Sequence, residues 1–101
     1  MKNNTILQTS IYNYGNYSSD NYGAHSLCVE LGSRKFYYSY QTLVAFKGTN
    51  SKGEHFSVIH QNDWGNTTGK HLNWIDGGSK EAKAKRVEDN EFNKQLIKFM
   101  K

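Results

Sequence analysis

Residues 25–31 alternate between apolar and polar side chains, and turn-forming stretches separate them from two further strand-like segments that run on to residue 60. Alternation of this kind points to an antiparallel sheet, because successive side chains on a strand face opposite ways. In His25-Ser26-Leu27-Cys28-Val29-Glu30-Leu31 the period puts Leu27, Val29 and Leu31 towards a core, with Cys28 and Glu30 opposite. Gly32-Ser33 is a two-residue turn of the kind that closes a II′ or I′ hairpin. The return strand runs from Arg34 to Phe46, with Phe36, Tyr38 and Tyr40 on one face; its pattern slips near Gln41-Thr42, which predicts a bulge or bend. A polar turn spans Gly48 to Gly53, and residues 54–60 form a third strand with Phe56 and Val58 on one face and Ile59 on the other.

The flanks complete an α+β plan. Thr5-Ile6-Leu7-Gln8-Thr9 reads as a short first strand, and residues 12–23 as a Tyr/Asn/Gly/Ser loop. A polar loop from Gln61 to Gly69 surrounds Trp64-Gly65. A short helix over 69–75, capped by Thr67 or Thr68, carries Leu72 and Ile75 and ends at Gly77-Gly78. Residues 80–86 read as a solvated Lys/Ala/Glu stretch. Asp89 reads as the cap of a closing helix, with Phe92, Leu96 and Phe99 or Met100 on one side. A lone meander has one apolar face to cover. The expectation is therefore an antiparallel β-meander of 3–4 strands packed against a C-terminal α-helix, with a short helix near 69–75. No repeat or linker divides residues 1–101, and their number suits one domain.

Only 36% of residues are hydrophobic, so the core must lean on the 14% that are aromatic, each of which buries a large area. The single cysteine, Cys28, allows no internal disulfide and favours a reducing compartment. No apolar leader and no membrane-length run is legible, which makes a cytoplasmic protein the expectation.

The chemistry-bearing residues do not converge. His55 and His60 are five positions apart and fall on opposite faces of a strand, no His-x-x-x-His or Cys pair accompanies them, and a metal site is not expected. Cys28 lacks a basic neighbourhood to activate it. Asp63 and Asp76 are the only candidates for paired carboxylates, and Gly65 and Gly69 lack the spacing of a phosphate loop. The expectation is a chain with no catalytic residue and no cofactor.

Two segments have the composition of contact surfaces. Residues 12–23 hold Tyr12, Tyr14, Tyr17 and Tyr22 among Asn, Ser and Gly, a mixture of large rings and adaptable hydrogen bonders. Residues 61–71 set Trp64 among amides and hydroxyls, with Lys70 and His71 at the end. Tyr14, Tyr17, Tyr22, Trp64, Lys70 and His71 are the candidate contact residues, with Arg34 and Lys35 as charged support. The competing reading packs the tyrosines back onto the core and puts Trp64 and Trp74 inside it. The net charge of +4 is concentrated in residues 34–60 and 80–101 and also permits a nucleic-acid partner. Arg34 and Lys35 lie near Tyr37, and Lys80, Lys83, Lys85 and Arg86 form a basic run. Strand edges and a modest core allow a monomer or a homodimer.

Three stretches carry a family likeness: Asn16-Tyr17-Ser18-Ser19-Asp20-Asn21-Tyr22-Gly23-Ala24-His25, Tyr37-Tyr38-Ser39-Tyr40-Gln41-Thr42-Leu43-Val44-Ala45-Phe46, and residues 61–76 from Gln61-Asn62-Asp63-Trp64 to Trp74-Ile75-Asp76. Together they resemble a family of small proteins of unknown function common in bacteriophages and mobile elements. The resemblance implies an accessory protein acting in the cytosol of a bacterial host. Its most concrete form is an anti-CRISPR inhibitor that binds a CRISPR effector nuclease, or its guide complex, and blocks it sterically. A nucleic-acid-binding phage accessory protein is the alternative.

Overall fold

The computed structural model describes residues 9–14 and 26–101. Within them one antiparallel sheet runs in sequence order through β1 (Thr9–Asn13), β2 (Leu27–Leu31), β3 (Arg34–Ser39), β4 (Thr42–Thr49) and β5 (His55–Ile59). Three helices follow: α1 (Asn66–Asp76), α2 (Lys80–Ala84) and α3 (Asp89–Met100). The fold is α+β, a meander with C-terminal helices, but the sheet has five strands where the sequence reading has three or four.

One added strand comes from a turn that the pattern hides. Ser39 pairs with Thr42, so Tyr40-Gln41 is a two-residue hairpin turn and not a bend within one long strand. Tyr40 has φ 57°, the only positive φ at a non-glycine among the described residues. A left-handed first position is the II′ pattern, which glycine normally fills, as Gly32 does with φ 62° in the preceding hairpin. The other difference is at the N-terminal edge. The strand expected over residues 5–9 lies mostly outside the described residues, and β1 begins where it was to end, taking Tyr12 and Asn13 from the expected loop.

The sheet is covered on both faces, where the sequence reading allowed for one apolar face. On the first, Cys28, Tyr37, Val44 and Ala45 pack under Leu72 and Ile75 of α1. On the second, Phe36, Phe46 and Phe56 pack under Phe92 and Phe99 of α3. The rings there sit at 4.8 Å (Phe46 and Phe99), 5.2 Å (Phe46 and Phe92) and 5.4 Å (Phe56 and Phe99), within the range of favourable aromatic pairs. This corrects the placement of Cys28, which is fully buried, whereas Leu27, Val29 and Leu31 are only half-buried. A register shift at Tyr37/Tyr38 leaves Val44 between the partners Ala45 and Leu43, and both Val44 and Ala45 enter the α1-side core.

The helices differ from expectation in their ends. α1 starts at Asn66, three residues early, and its N-cap is Gly65 with no side-chain cap; Thr68 is buried within the helix instead. The stretch 80–86 contains α2, capped by Ser79 through its bond from the Ala82 N–H. Glu88, and not Asp89, caps α3, accepting from the Glu91 N–H. Gly48 lies inside β4 and not in a turn, because the chain there touches the β2–β3 hairpin: a Cβ on it would stand 2.1 Å from the Ser33 carbonyl oxygen. Among the described residues no helix is long and apolar enough to cross a membrane.

Candidate partner-binding surface

A buried polar knot joins β3 to α1. Ser39 Oγ lies 2.7 Å from His71 Nδ1 and 2.9 Å from Thr68 Oγ1. Thr68, His71, Leu72 and Ile75 form the i, i+3, i+4, i+7 stripe that α1 turns to the sheet. A serine and a histidine at this distance have the spacing of a nucleophile and its base. Here, however, Ser39 is 2% exposed and His71 0%, so the pair has no solvent-facing side for a substrate. Its effect is mechanical: it ties the end of β3, and with it the Tyr40 turn, to the middle of α1.

Immediately outside the knot stand large rings. Tyr40 places its ring 6.0 Å from that of His71 and remains 46% exposed. Trp74 follows His71 by one helical turn and is 48% exposed. At 100° per residue, Thr67, Lys70 and Trp74 fall on one flank of α1, next to His71 and hence to Tyr40. The other flank is closed off. Arg86 donates from Nε to Asp76 Oδ2 at 2.8 Å and from Nη2 to Asn73 Oδ1 at 3.1 Å. Trp64, at the N-terminal end of α1, is 45% exposed with its ring 4.7 Å from that of His60. Exposed tyrosine and tryptophan held by a rigid base, beside one lysine, is the arrangement of an interface anchor.

The expected contact residues fare differently. Lys70 and Trp64 are exposed on or beside α1. His71 is fully buried and supports the surface from below. Tyr14 is half-buried; its hydroxyl donates to the Tyr38 carbonyl at 3.0 Å and its ring meets Tyr37 and His71 edge-on. Tyr17 and Tyr22 lie outside the described residues, as do residues 15–23 of the Tyr-rich loop. Arg34 is turned to the α3 side, where Nε–H donates to the Thr49 carbonyl at 3.2 Å and the guanidinium stands 5.5 Å over the Phe99 ring. Lys35 is exposed and pairs with Glu30 at 3.8 Å. Tyr40, Trp74, Ser39 and Thr68 were missed as site residues, and the bond that ties His71 to Ser39 was not foreseen; only Trp74 carries a local signal, its i+4 spacing from Lys70.

Other ionisable groups serve the fold. Asp76 and Arg86 form a buried ion pair, so Asp76 is not the isolated carboxylate of the sequence reading. Burial alone would raise the Asp76 carboxyl. Its hydrogen bonds from Arg86 and the Gly78 N–H, and the charges of Arg86 and Lys47, outweigh that and hold it below the usual carboxylate range. His60 links the end of β5 to the start of α3: Nε2 lies 2.9 Å from Asp89 Oδ1 and Nδ1 2.7 Å from the Gln61 carbonyl. Burial pushes the Cys28 thiol up, away from the reactive thiolate. A groove of about 430 Å³ beside α2 is lined by Lys47 and Lys85 but equally by Asp76 and Glu81, so it favours neither sign of charge. Among the described residues, no group of three or more His, Cys, Asp or Glu is placed to hold a metal ion.

Comparison with known families decides the chain's kinship. The profile of the family of unknown function DUF8033 matches residues 1–94. The chain belongs to the DUF8033 family. No curated protein and no solved structure matches it. The DUF8033 match spans the sheet, α1, α2 and the first half of α3, so the α1 surface lies within the matched region.

Proposed function

We propose that the protein is a non-catalytic binding protein that acts by covering the surface of another macromolecule, with Tyr40, Lys70 and Trp74 as its central contacts and Trp64 at their margin. The observation that carries this reading is Tyr40. Its left-handed backbone is costly for a tyrosine, and its ring stays half in solvent above a buried hydrogen-bonded knot. A half-exposed ring carried on a costly turn fits a side chain held ready for a partner.

The partner class follows from the phage-family resemblance: an effector nuclease of a bacterial host, in the form of an anti-CRISPR inhibitor working by steric occlusion. Such a mechanism needs no cofactor and no reacting group. Three of the basic residues are engaged within the fold, which at their positions favours a protein target over a nucleic acid, while Lys80, Lys83 and Lys85 are exposed, as the nucleic-acid alternative needs. Arg86 is spent on Asp76, Lys47 donates to the Ile75 carbonyl and stands over the Tyr37 ring, and Lys35 faces Glu30. The test is a plasmid-interference assay with guide-loaded CRISPR effectors. The expected result is protection of the plasmid and a stable complex, both lost on combining Tyr40→Gly, Lys70→Ala and Trp74→Ala. The reading fails if the combined variant protects as well as the parent, or if no effector is inhibited. A gel shift on single-stranded nucleic acid at about 50 and 200 mM salt checks the alternative, since phosphate-driven binding falls steeply over that range.

A further inference from the structure

Among the described residues the two edges of the sheet are finished differently. At β5 the chain returns on itself: the Val87 N–H donates to the Ile59 carbonyl, the Gln61 N–H donates to the Val87 carbonyl, and His60 and Val87 form a parallel bridge. At β1 every residue from Thr9 to Asn13 is exposed, and none joins either core cluster. Natural sheets usually guard such an edge with lysine, proline or a bulge. Thr9-Ser10-Ile11-Tyr12-Asn13 has no charge and no proline, and its register with β2 is unbroken.

The hydrogen-bond phase of β1 can be read from its end. The Tyr14 N–H donates to the Ser26 carbonyl at 2.9 Å, one step beyond the Asn13–Leu27 pair. Bonded and non-bonded pairs alternate in an antiparallel ladder. Tyr12 and Ser10 therefore bond inward to Cys28 and Glu30, and Thr9, Ile11 and Asn13 direct their N–H and C=O groups outward. Ile11 is the middle of these three and is 64% exposed.

We propose that β1 is a homodimerisation edge: a second copy of this chain pairs antiparallel with it, on a two-fold axis at Ile11. Thr9 then faces Asn13 of the second copy and Ile11 faces its equivalent, all three outward-bonding positions matching in one register. A two-fold contact must be self-complementary, and this strand is: polar ends meet polar ends, and the exposed isoleucines meet on one face beside Val29. The charge distribution also selects a second copy. Two chains of net charge +4 meet here without a charged side chain in the strand, whereas a charged peptide would find no counter-charge on it. On the same side of the sheet as Ile11 and Val29 lies a hollow of about 350 Å³ lined by Leu31, Phe36 and Met100 together with Gly32, Ser33 and Arg34.

The test is the mass of the full chain by light scattering from micromolar to millimolar concentration, with cross-linking to read the register. The expected result is a concentration-dependent species of twice 11.6 kDa. Ile11→Lys, which sets two like charges across the axis, should return it to monomer, with a melting curve that matches the parent's at concentrations where the parent is monomeric. Ile11→Pro, which removes only an outward N–H, should do the same. Under mild oxidation Ile11→Cys should form a disulfide-linked dimer, because bonded partners lie about 5.5 Å apart at Cα, within disulfide reach, whereas Ser10→Cys should cross-link far less. A monomer at every concentration overturns the proposal. So does a dimer that survives both Ile11→Lys and Ile11→Pro, or one that cross-links through Ser10→Cys as readily as through Ile11→Cys.

Discussion

Replacing Tyr40 with glycine separates the stability of this fold from its proposed use. The tyrosine backbone is left-handed at φ 57°, and relieving it returns about 1–2 kcal/mol. Glycine in exchange gives the unfolded chain more freedom, at a cost of roughly 0.5–1 kcal/mol. The ring is 46% exposed, so losing it forfeits about half of a buried aromatic's transfer energy, on the order of 1 kcal/mol. These terms nearly cancel, and Tyr40→Gly should shift the urea-unfolding free energy by less than about 1 kcal/mol. Affinity should behave otherwise. An aromatic anchor at the centre of an interface is worth about 2 kcal/mol or more, roughly a thirty-fold loss of binding by calorimetry. A variant that unfolds several kcal/mol more easily yet binds as before would show that the ring serves the core, and the reasoning from strain to function would be refuted.

Three further outcomes follow from the packing. Phe99→Ala, which empties a fully buried site touching Phe36, Phe46 and Phe56, should cost about 3–5 kcal/mol in urea titrations; a loss below about 1 kcal/mol would mean that α3 is not integral to the core. Gly48→Ala forces a Cβ against the Ser33 carbonyl at a backbone φ of 135°, and should lower the thermal midpoint by several degrees, whereas Gly53→Ala, with open space around it, keeps only the strain of its φ of 82° and should cost less. The Asp76 carboxyl is held below its ordinary value, so its contribution is present above the usual carboxylate range and is lost as pH falls through the lower folded value. Acid titration of stability should therefore show a limb below about pH 4 that Asp76→Asn removes, and Asp76→Asn should be less stable than the parent at neutral pH because Arg86 is left buried without its partner.

Much of the fold was legible because alternation survives wherever one face of a strand is buried. His55 to Ile59 is a strand with Phe56 buried as the pattern suggests, whereas in Leu27 to Leu31 the pattern marked the strand but assigned the fully buried Cys28 outward. The pattern failed where tertiary context overrode it. Tyr40-Gln41 carries no glycine or asparagine at its left-handed position, so a hairpin read as one bent strand. Cys28 read as outward because a second layer, α1, cannot be inferred from the strand it covers. The site was less legible than the fold. Trp64 and Lys70 were visible as an aromatic and a charge in a polar stretch. The knot that organises them joins Ser39 to residues 29 and 32 positions away, which no local window contains. His71, chosen for its chemistry, proved to be the buried support of the surface and not part of it.

By the proposed function, the β3–β4 turn and the outer flank of α1 form the contact surface. Hydrogen exchange on the complex with an inhibited effector nuclease tests it most directly. Exchange in the complex should slow at residues 39–42 and 66–74, with little change in β5 and α3. Protection confined to β5 and α3, or none at the Tyr40 turn, would contradict it.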